Sequence, residues 1–271
     1  MTPCAVKCIP SAIIAAHDRM PISAVLITKN AARQLDDCLA SVAFCDEIIV
    51  VDSGSDDGTA EIAGRHGARV IQSEWRGFGP QKQFAVDQAS HDWVLCIDAD
   101  ERVSEGLQES IREVRGAVSS APTFSAYRFA RRNRFMGRYL RHGEGYPDWS
   151  LRLFDRRHAR WSDDPVHEKV IAAGAIGTLQ GDLLHESAES LETYLAKQNR
   201  YSTLAAEEAL ASGKRATVMP LLFSPMLRFV KFYILRLGLL DGLPGLVHIL
   251  VGCGASFFKY AKMLAFQRSG Q

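Results

Sequence analysis

Four short apolar runs divide the first hundred residues of this 271-residue chain. They cover 22–28, 47–52, 68–72 and 93–97. Each is too short for an ordinary helix and rich in residues that pack on a sheet, so each reads as a strand with both faces buried. Helical stretches separate them. The first runs over about 31–43, with Leu35, Leu39 and Val42 on one face and Asn30 as its N-cap. A second stops near Gly67, and Pro80 opens a third over 81–89. This β-α-β-α-β-α-β alternation predicts an α/β fold with a doubly wound, mostly parallel sheet. Such sheets bind ligands beyond the carboxyl ends of their strands. Thr28, Asp52 and the pair Asp98 and Asp100 all fall at those ends.

The fourth run ends in Asp98-Ala99-Asp100-Glu101. Side chains along a strand alternate, so Asp98 and Asp100 are expected on one face. Two like charges there repel unless a cation sits between them. Carboxylate oxygens at a strand end suit a hard divalent ion that also holds phosphate. The alternative is an ordinary turn, where Asp is common.

A net charge of +1 gives no bias toward nucleic acid, and none is expected as a partner. The six Cys show no paired metal spacing and fit reduced thiols in a cytosolic protein. Residues 1–20 hold only a short apolar patch, Ile13-Ile14-Ala15-Ala16, too short for a signal peptide. They read as a disordered or loosely packed leader. After Glu101 a helix is expected over 104–115 and a strand over 125–130. A cationic segment with Arg131, Arg132, Arg134, Arg138 and Arg141 follows. Short strands are expected at 151–154 and 166–170, and a helix over 188–212, ended by Gly213.

From Val218 to Phe266 the chain is strongly apolar with scattered cations, among them Arg228, Lys231, Arg236, Lys259 and Lys262. The uncharged run 242–258 contains Pro244 and several Gly, and is marginal for a spanning helix. The favoured reading is amphipathic segments on an anionic membrane surface. A packed helical subdomain and a spanning hairpin are the alternatives. The expected organisation is a leader at 1–20, a catalytic domain at 21–185 and a helical, membrane-associating region at 186–271.

Several motifs carry a family resemblance. Thr28-Lys29-Asn30 follows the first strand, Val50-Val51-Asp52-Ser53-Gly54-Ser55-Asp56-Asp57-Gly58-Thr59 spans the second strand end, and Asp98-Ala99-Asp100 ends the fourth. With these the chain resembles the inverting family 2 glycosyltransferases of the GT-A (Rossmann-like) fold. Gln81-Lys82-Gln83, Leu151-Arg152-Leu153-Phe154, Val166-His167-Glu168, Leu184-His185 and the run from Leu235 to Gly242 are similar to the bacterial lipopolysaccharide-core β-glucosyltransferases. The resemblance covers about residues 21–265. It implies a UDP-sugar donor and a divalent cation, Mg2+ or Mn2+. It also implies that Thr28 and Asn30 lie near the nucleotide and that Asp52 contacts uracil or ribose. Asp98 would sit by the ribose and metal, Asp100 would ligate the metal, and Lys82 is a candidate for the nucleotide or diphosphate.

Inverting transfer needs charge stabilisation at the leaving diphosphate and a carboxylate to deprotonate the acceptor hydroxyl. Candidates for the base are Asp148, Asp163, Asp164 and Glu168. Glu168 is preferred, with Asp164 next, because His167-Glu168 lies in a short apolar segment that would desolvate the carboxylate and raise its pKa. His185 is a candidate further metal ligand or diphosphate contact, or else a capping or core His. The Arg cluster suits an anionic glycolipid acceptor, since guanidinium binds phosphate and carboxylate as a fork. Tyr146 and Trp149 are candidates to stack on sugar rings. Together these features predict transfer of a hexose, glucose by resemblance, to the lipopolysaccharide inner core. The enzyme would be cytoplasmic and peripheral at the inner membrane. Transfer to a polyprenyl phosphate or another acceptor, or sugar-nucleotide binding without catalysis, are the alternatives. A nucleotidyltransferase is disfavoured, because no Gly-rich basic loop follows the first strand. A glycoside hydrolase is disfavoured because Asp98 and Asp100 are too close together to flank a cleaved bond.

Overall fold

The computed structural model describes residues 19–116, 124–164, 168–186 and 190–269. Residues 1–18 of the expected leader lie outside the described residues. Met20, at its end, is buried in the core instead. The first half follows the alternation: β1 (Ile22–Thr28), α1 (Ala32–Ser41), β2 (Glu47–Asp52), α2 (Thr59–Arg65), β3 (Arg69–Gln72), α3 (Phe78–Asp87) and β4 (Trp93–Cys96). Then come β5 (Glu101–Val103), α4 (Glu105–Gly116), β6 (Ala126–Phe135), β7 (Arg138–Tyr139), β8 (Asp148–Asp155), β9 (Ala159–Trp161), β10 (Val170–Ala172) and β11 (Ile176–His185). Three helices end the chain: α5 (Leu191–Ala211), α6 (Val218–Phe229) and α7 (Gly242–Ser269). A π-helical turn, Val230–Leu235, and a 3-10 turn, Gly238–Asp241, join α6 to α7.

The main sheet runs β3-β2-β1-β4-β8-β6-β11-β5, with β7 paired to β6. β3, β2, β1 and β4 are parallel; β8 joins β4 antiparallel. Beyond it the sheet is mixed, with β6 parallel to β11 and β5 antiparallel to β11. Two cores cover the two faces. One gathers Leu26, Leu35, Leu39, Leu95, Leu107, Ile111, Phe129 and Leu183 under α1 and α4. The other gathers Val25, Ile49, Val51, Ala85, Val94, Phe154 and Trp161 under α3 and β9. Burial on both faces explains why these strands read as continuous apolar runs.

Register positions the polar residues. Thr28 pairs with Asp52 across β1 and β2, and His185 lies between Asn133 of β6 and Glu101 of β5. Leu95 of β4 faces Leu153 of β8, which leaves Arg152 beside the chain leaving β4. Three sequence expectations fail here. Asn30 does not cap α1; it takes a left-handed φ of 52°. The orphan N–H groups of Ala31 and Ala32 instead donate to Thr59 Oγ1 (2.9 Å) and Asp57 Oδ2 (3.0 Å) from the next loop. β4 ends at Cys96, so Asp98-Ala99-Asp100 is a turn closed by the Glu101 N–H on the Asp98 carbonyl (2.9 Å), and period two does not apply. Glu168 precedes β10 instead of lying within a strand; Val166 and His167 lie outside the described residues.

The C-terminal helices pack on one another and on the sheet domain. Buried Asp241 accepts from the backbone N–H of Arg141 (2.9 Å) and His142 (2.8 Å), and Arg228 pairs with Glu144. α7 buries one face, Gly245, Ile249, Gly252, Cys253, Ser256 and Met263, and exposes Leu243, Leu250, Phe257 and Phe258. α6 buries none of its residues and exposes Met219, Leu222, Met226 and Leu227. By length and composition alone, Val218–Leu235 and Gly238–Ser269 are apolar enough to cross a membrane. Arg228, Lys231 and Arg236 gather around the Phe232 ring at 5.7, 5.2 and 5.9 Å.

Gly79 in α3 lies against the segment that leads to Glu168. A Cβ there would stand 2.2 Å from the Ser162 carbonyl oxygen and 2.5 Å from that of Asp164. Gly79→Ala is therefore expected to cost about 1–3 kcal/mol by overpacking. Thermal unfolding should register the loss.

Candidate active site

The wall at the β1 and β2 ends is built around Asp52, which is fully buried. It accepts hydrogen bonds from Thr28 Oγ1 (2.9 Å), Ser55 Oγ (2.5 Å) and the backbone N–H of Gly54 (3.1 Å) and Ser55 (2.9 Å). Burial alone would raise its pKa, but these bonds outweigh it and hold the carboxyl below its usual range. A carboxylate offers about four acceptor positions, and the loop takes them. Asp52 thus anchors the loop that shapes the wall. Asn30 completes the wall: its N–H donates to Ser55 Oγ (2.8 Å) and its Oδ1 accepts from the Asp56 N–H (3.0 Å).

The centre is a chain of alternating charge. Lys82 Nζ lies 2.9 Å from both Glu168 Oε1 and Asp98 Oδ1. Arg152 lies 2.9 Å from Asp98 Oδ2 and 3.5 Å from Glu101 Oε1. Arg131 lies 3.4 Å from Glu101 and 2.7 Å from Asp148. Glu101, with no exposed surface, also accepts the Asp98 N–H at 2.9 Å. The Trp161 ring lies beneath both Lys82 (4.8 Å) and Arg152 (5.3 Å). Burial works against the Asp98 charge, yet Arg152 and Lys82 overcome it and hold this carboxyl far below the usual range. Lys82 is buried rather than being a solvated helix residue. Glu168 sits against an ammonium group, not in the apolar surroundings its sequence suggested.

Asp100 turns elsewhere. His185 Nε2 faces Asp100 Oδ2 at 3.2 Å, and His185 Nδ1 lies 2.7 Å from Asn133 Oδ1. The Asn133 amide nitrogen lies 3.4 Å from Asp148, which leaves its oxygen to accept the Nδ1 proton. Nε2 then faces the Asp100 carboxylate, an arrangement that a cation between them would satisfy. A carboxylate and an oriented imidazole fit a divalent ion. Among the described residues no group of three or more His, Cys, Asp or Glu could hold a metal alone. An ion there would need oxygens from a bound phosphate to fill its shell. Asp98 is engaged by two cations and is a poor second carboxylate ligand.

Of the other base candidates, Asp148 is tied to Arg131, and exposed Asp163 lies 3.7 Å from Arg160. Asp164 is exposed on the segment beside Gly79. Most of the Arg cluster is already paired: Arg131 as above, Arg132 with Asp182 and Arg134 with Glu186. Tyr146 donates to Asp182 (2.9 Å), and Trp149 is half exposed under Arg128. Arg152, Glu101 and Asn133 had not been identified from the sequence. Arg152 carried a legible signal, because a cation inside Leu-Arg-Leu-Phe must find an anion when that strand is buried.

Comparison with known proteins adds the following. The family model described as glycosyl transferase family 2 matches residues 23–172. The lipopolysaccharide core biosynthesis glycosyltransferase LpsC of Rhizobium meliloti is 34% identical over 253 residues, 90% of this chain and 92% of that protein. An uncharacterized glycosyltransferase of Rickettsia typhi is 31% identical over 252 residues, 89% of this chain and 86% of that one. Among solved structures, the mannosyltransferase PcManGT of Pyrobaculum calidifontis, in complex with GDP-Man and Mn2+, is 18% identical. It covers 93% of this chain and 76% of that chain, with a TM-score of 0.49.

Removing one partner of a buried ion pair costs about 3–5 kcal/mol, so Arg152→Gln should lose roughly that at pH 7. Asp98 has a depressed folded pKa. Its contribution is present above the unfolded carboxylate pKa of about 4 and fades as pH falls below it. Urea unfolding at stepped pH should therefore find the gap between wild type and Arg152→Gln narrowing on acidification.

Proposed function

The chain belongs to glycosyl transferase family 2, and we propose that it moves a hexose, with inversion, from a UDP-sugar to an anionic glycolipid of the lipopolysaccharide inner core. Two supports carry this reading. The name of the Rhizobium relative supports the acceptor class. The convergence of Glu168, Lys82 and Asp98 on one ion-paired chain, beside the Asp100–His185 pair, supports the chemistry.

In this reading Thr28, Asn30 and Ser55 line the nucleotide side. Asp100 and His185 hold a divalent ion, Mg2+ or Mn2+, which when bound neutralises charge on the leaving diphosphate. Lys82, already between two carboxylates, adds a second positive charge near that group. Glu168 is the base, held in place by Lys82 at 2.9 Å. The acceptor hydroxyl gives its proton to Glu168, the freed oxygen bonds to the anomeric carbon, and the bond from that carbon to the diphosphate oxygen breaks. The nucleotide leaves with the electron pair. Asp98 and Arg152 take no proton; they fix Lys82 and the turn that carries Asp100. The exposed apolar face of α6, with Lys231 and Arg236 beside it, supports a peripheral position on the cytoplasmic face of an anionic membrane.

Glu168→Gln keeps the shape and removes the base. Transfer should fall by at least about two orders of magnitude, the usual worth of general base catalysis, while UDP affinity survives. Substantial turnover in this variant would move the role to Asp164 or Asp148. Chelation by EDTA should abolish nucleotide release, and added Mn2+ or Mg2+ should restore it.

A further inference from the structure

A cavity of about 720 Å3 opens beside His185, between the β6–β7 hairpin, the start of α1, α5 and α7. Its volume lies in the range of small-molecule sites. Five cations reach its wall, Arg33, Arg102, Arg131, Arg134 and Lys197, against the single carboxylate of Glu186. Arg131 is neutralised by Asp148 and Glu101, and Arg102 has Asp37 at 2.8 Å. Arg134 has Glu186 as its carboxylate, and Arg33 has no carboxylate partner among the described residues. Glu186 is gripped by two guanidinium groups, Arg134 and Arg102 Nη1 (3.0 Å). A carboxylate held between two such forks occupies the position a bound phosphate or carboxylate would take.

The remaining wall is aromatic. The rings of Phe135, Tyr194 and His248 lie 5.1–5.9 Å apart, with His248 stacked on Tyr194 at 25°. His248 Nδ1 is buried and has no hydrogen-bond partner among the described residues. Flat aromatic faces beside a cationic fork match a sugar ring that bears an anionic group. His185, which faces Asp100, belongs to the same wall.

Resting on the glycosyltransferase reading, we propose that this cavity is the acceptor subsite. It seats a saccharide whose phosphate or carboxylate displaces Glu186 from the Arg102–Arg134 fork. Glu186 is then an internal competitor that holds the fork open until the acceptor arrives. The diphosphate of the donor is the other anion that could use these cations.

Isothermal titration of the full chain with mannose 6-phosphate and with mannose tests this, each with and without saturating UDP and Mn2+. The phosphorylated sugar should bind at least about tenfold tighter than mannose, as expected for charge-assisted contacts. It should still bind when UDP is present. Arg134→Ala should weaken it by at least about tenfold. Glu186→Gln should tighten it, which a merely structural Glu186 would not do. UDP affinity reports whether each variant folds. Equal binding of the two sugars, displacement by UDP, or weaker binding in Glu186→Gln would overturn the proposal. Should a variant not fold, the wild-type comparisons still decide. Failure of wild type to bind UDP would count against the nucleotide-sugar reading alone, leaving the sugar-phosphate result to judge the cavity.

Discussion

The site depends on the chain Glu168–Lys82–Asp98–Arg152–Glu101–Arg131–Asp148, in which Lys82, Arg152 and Glu101 are buried and the rest half-buried. No member could be buried alone, because an isolated charge in a protein interior costs several kcal/mol. Paired in alternation, they tie together six parts of the fold: α3, the turn after β4, β5, β8, β6 and the segment before β10. The same pairing sorts the two aspartates of the turn. Asp98 is drawn toward Lys82 and Arg152, which leaves Asp100 facing His185. Division of labour between two carboxylates two residues apart thus follows from which cations the neighbouring strands supply.

Much of the first half was legible because both faces of its strands are covered. That constraint writes continuous apolar runs into 22–28, 47–52 and 93–97, and their polar ends mark the ligand edge. What escaped was set by contacts distant in sequence. Asp98 and Asp100 on one face required the strand to continue, but it stops at Cys96 and turns. Asn30 had the composition of a cap, but Asp57 and Thr59 from the next loop do that work. The apolar neighbours of Glu168 suggested desolvation, whereas Lys82, 86 positions away in sequence, supplies a counter-charge. The Arg-rich segment resembled an open anion-binding face. In the fold its members are largely neutralised by carboxylates that no local pattern links to them.

The C-terminal helices join two parts of the proposed function. α7 buries one face against its neighbours, and its His248 reaches the cavity beside His185. α6 lies over α7 and leaves its apolar side uncovered. Ser224 and Ser256 link the two helices by a 2.7 Å hydrogen bond. A lipid surface met by α6 would therefore lie one helix away from the proposed acceptor subsite, a short path for a glycolipid head group.

The central claim is a single displacement, with Glu168 on the acceptor side and the Asp100–His185 pair on the leaving-group side. The anomeric configuration of the product tests it most directly. Given an α-linked nucleotide sugar that the enzyme turns over, NMR of the purified product should find a β-linkage. A product that keeps the α-configuration would contradict the account.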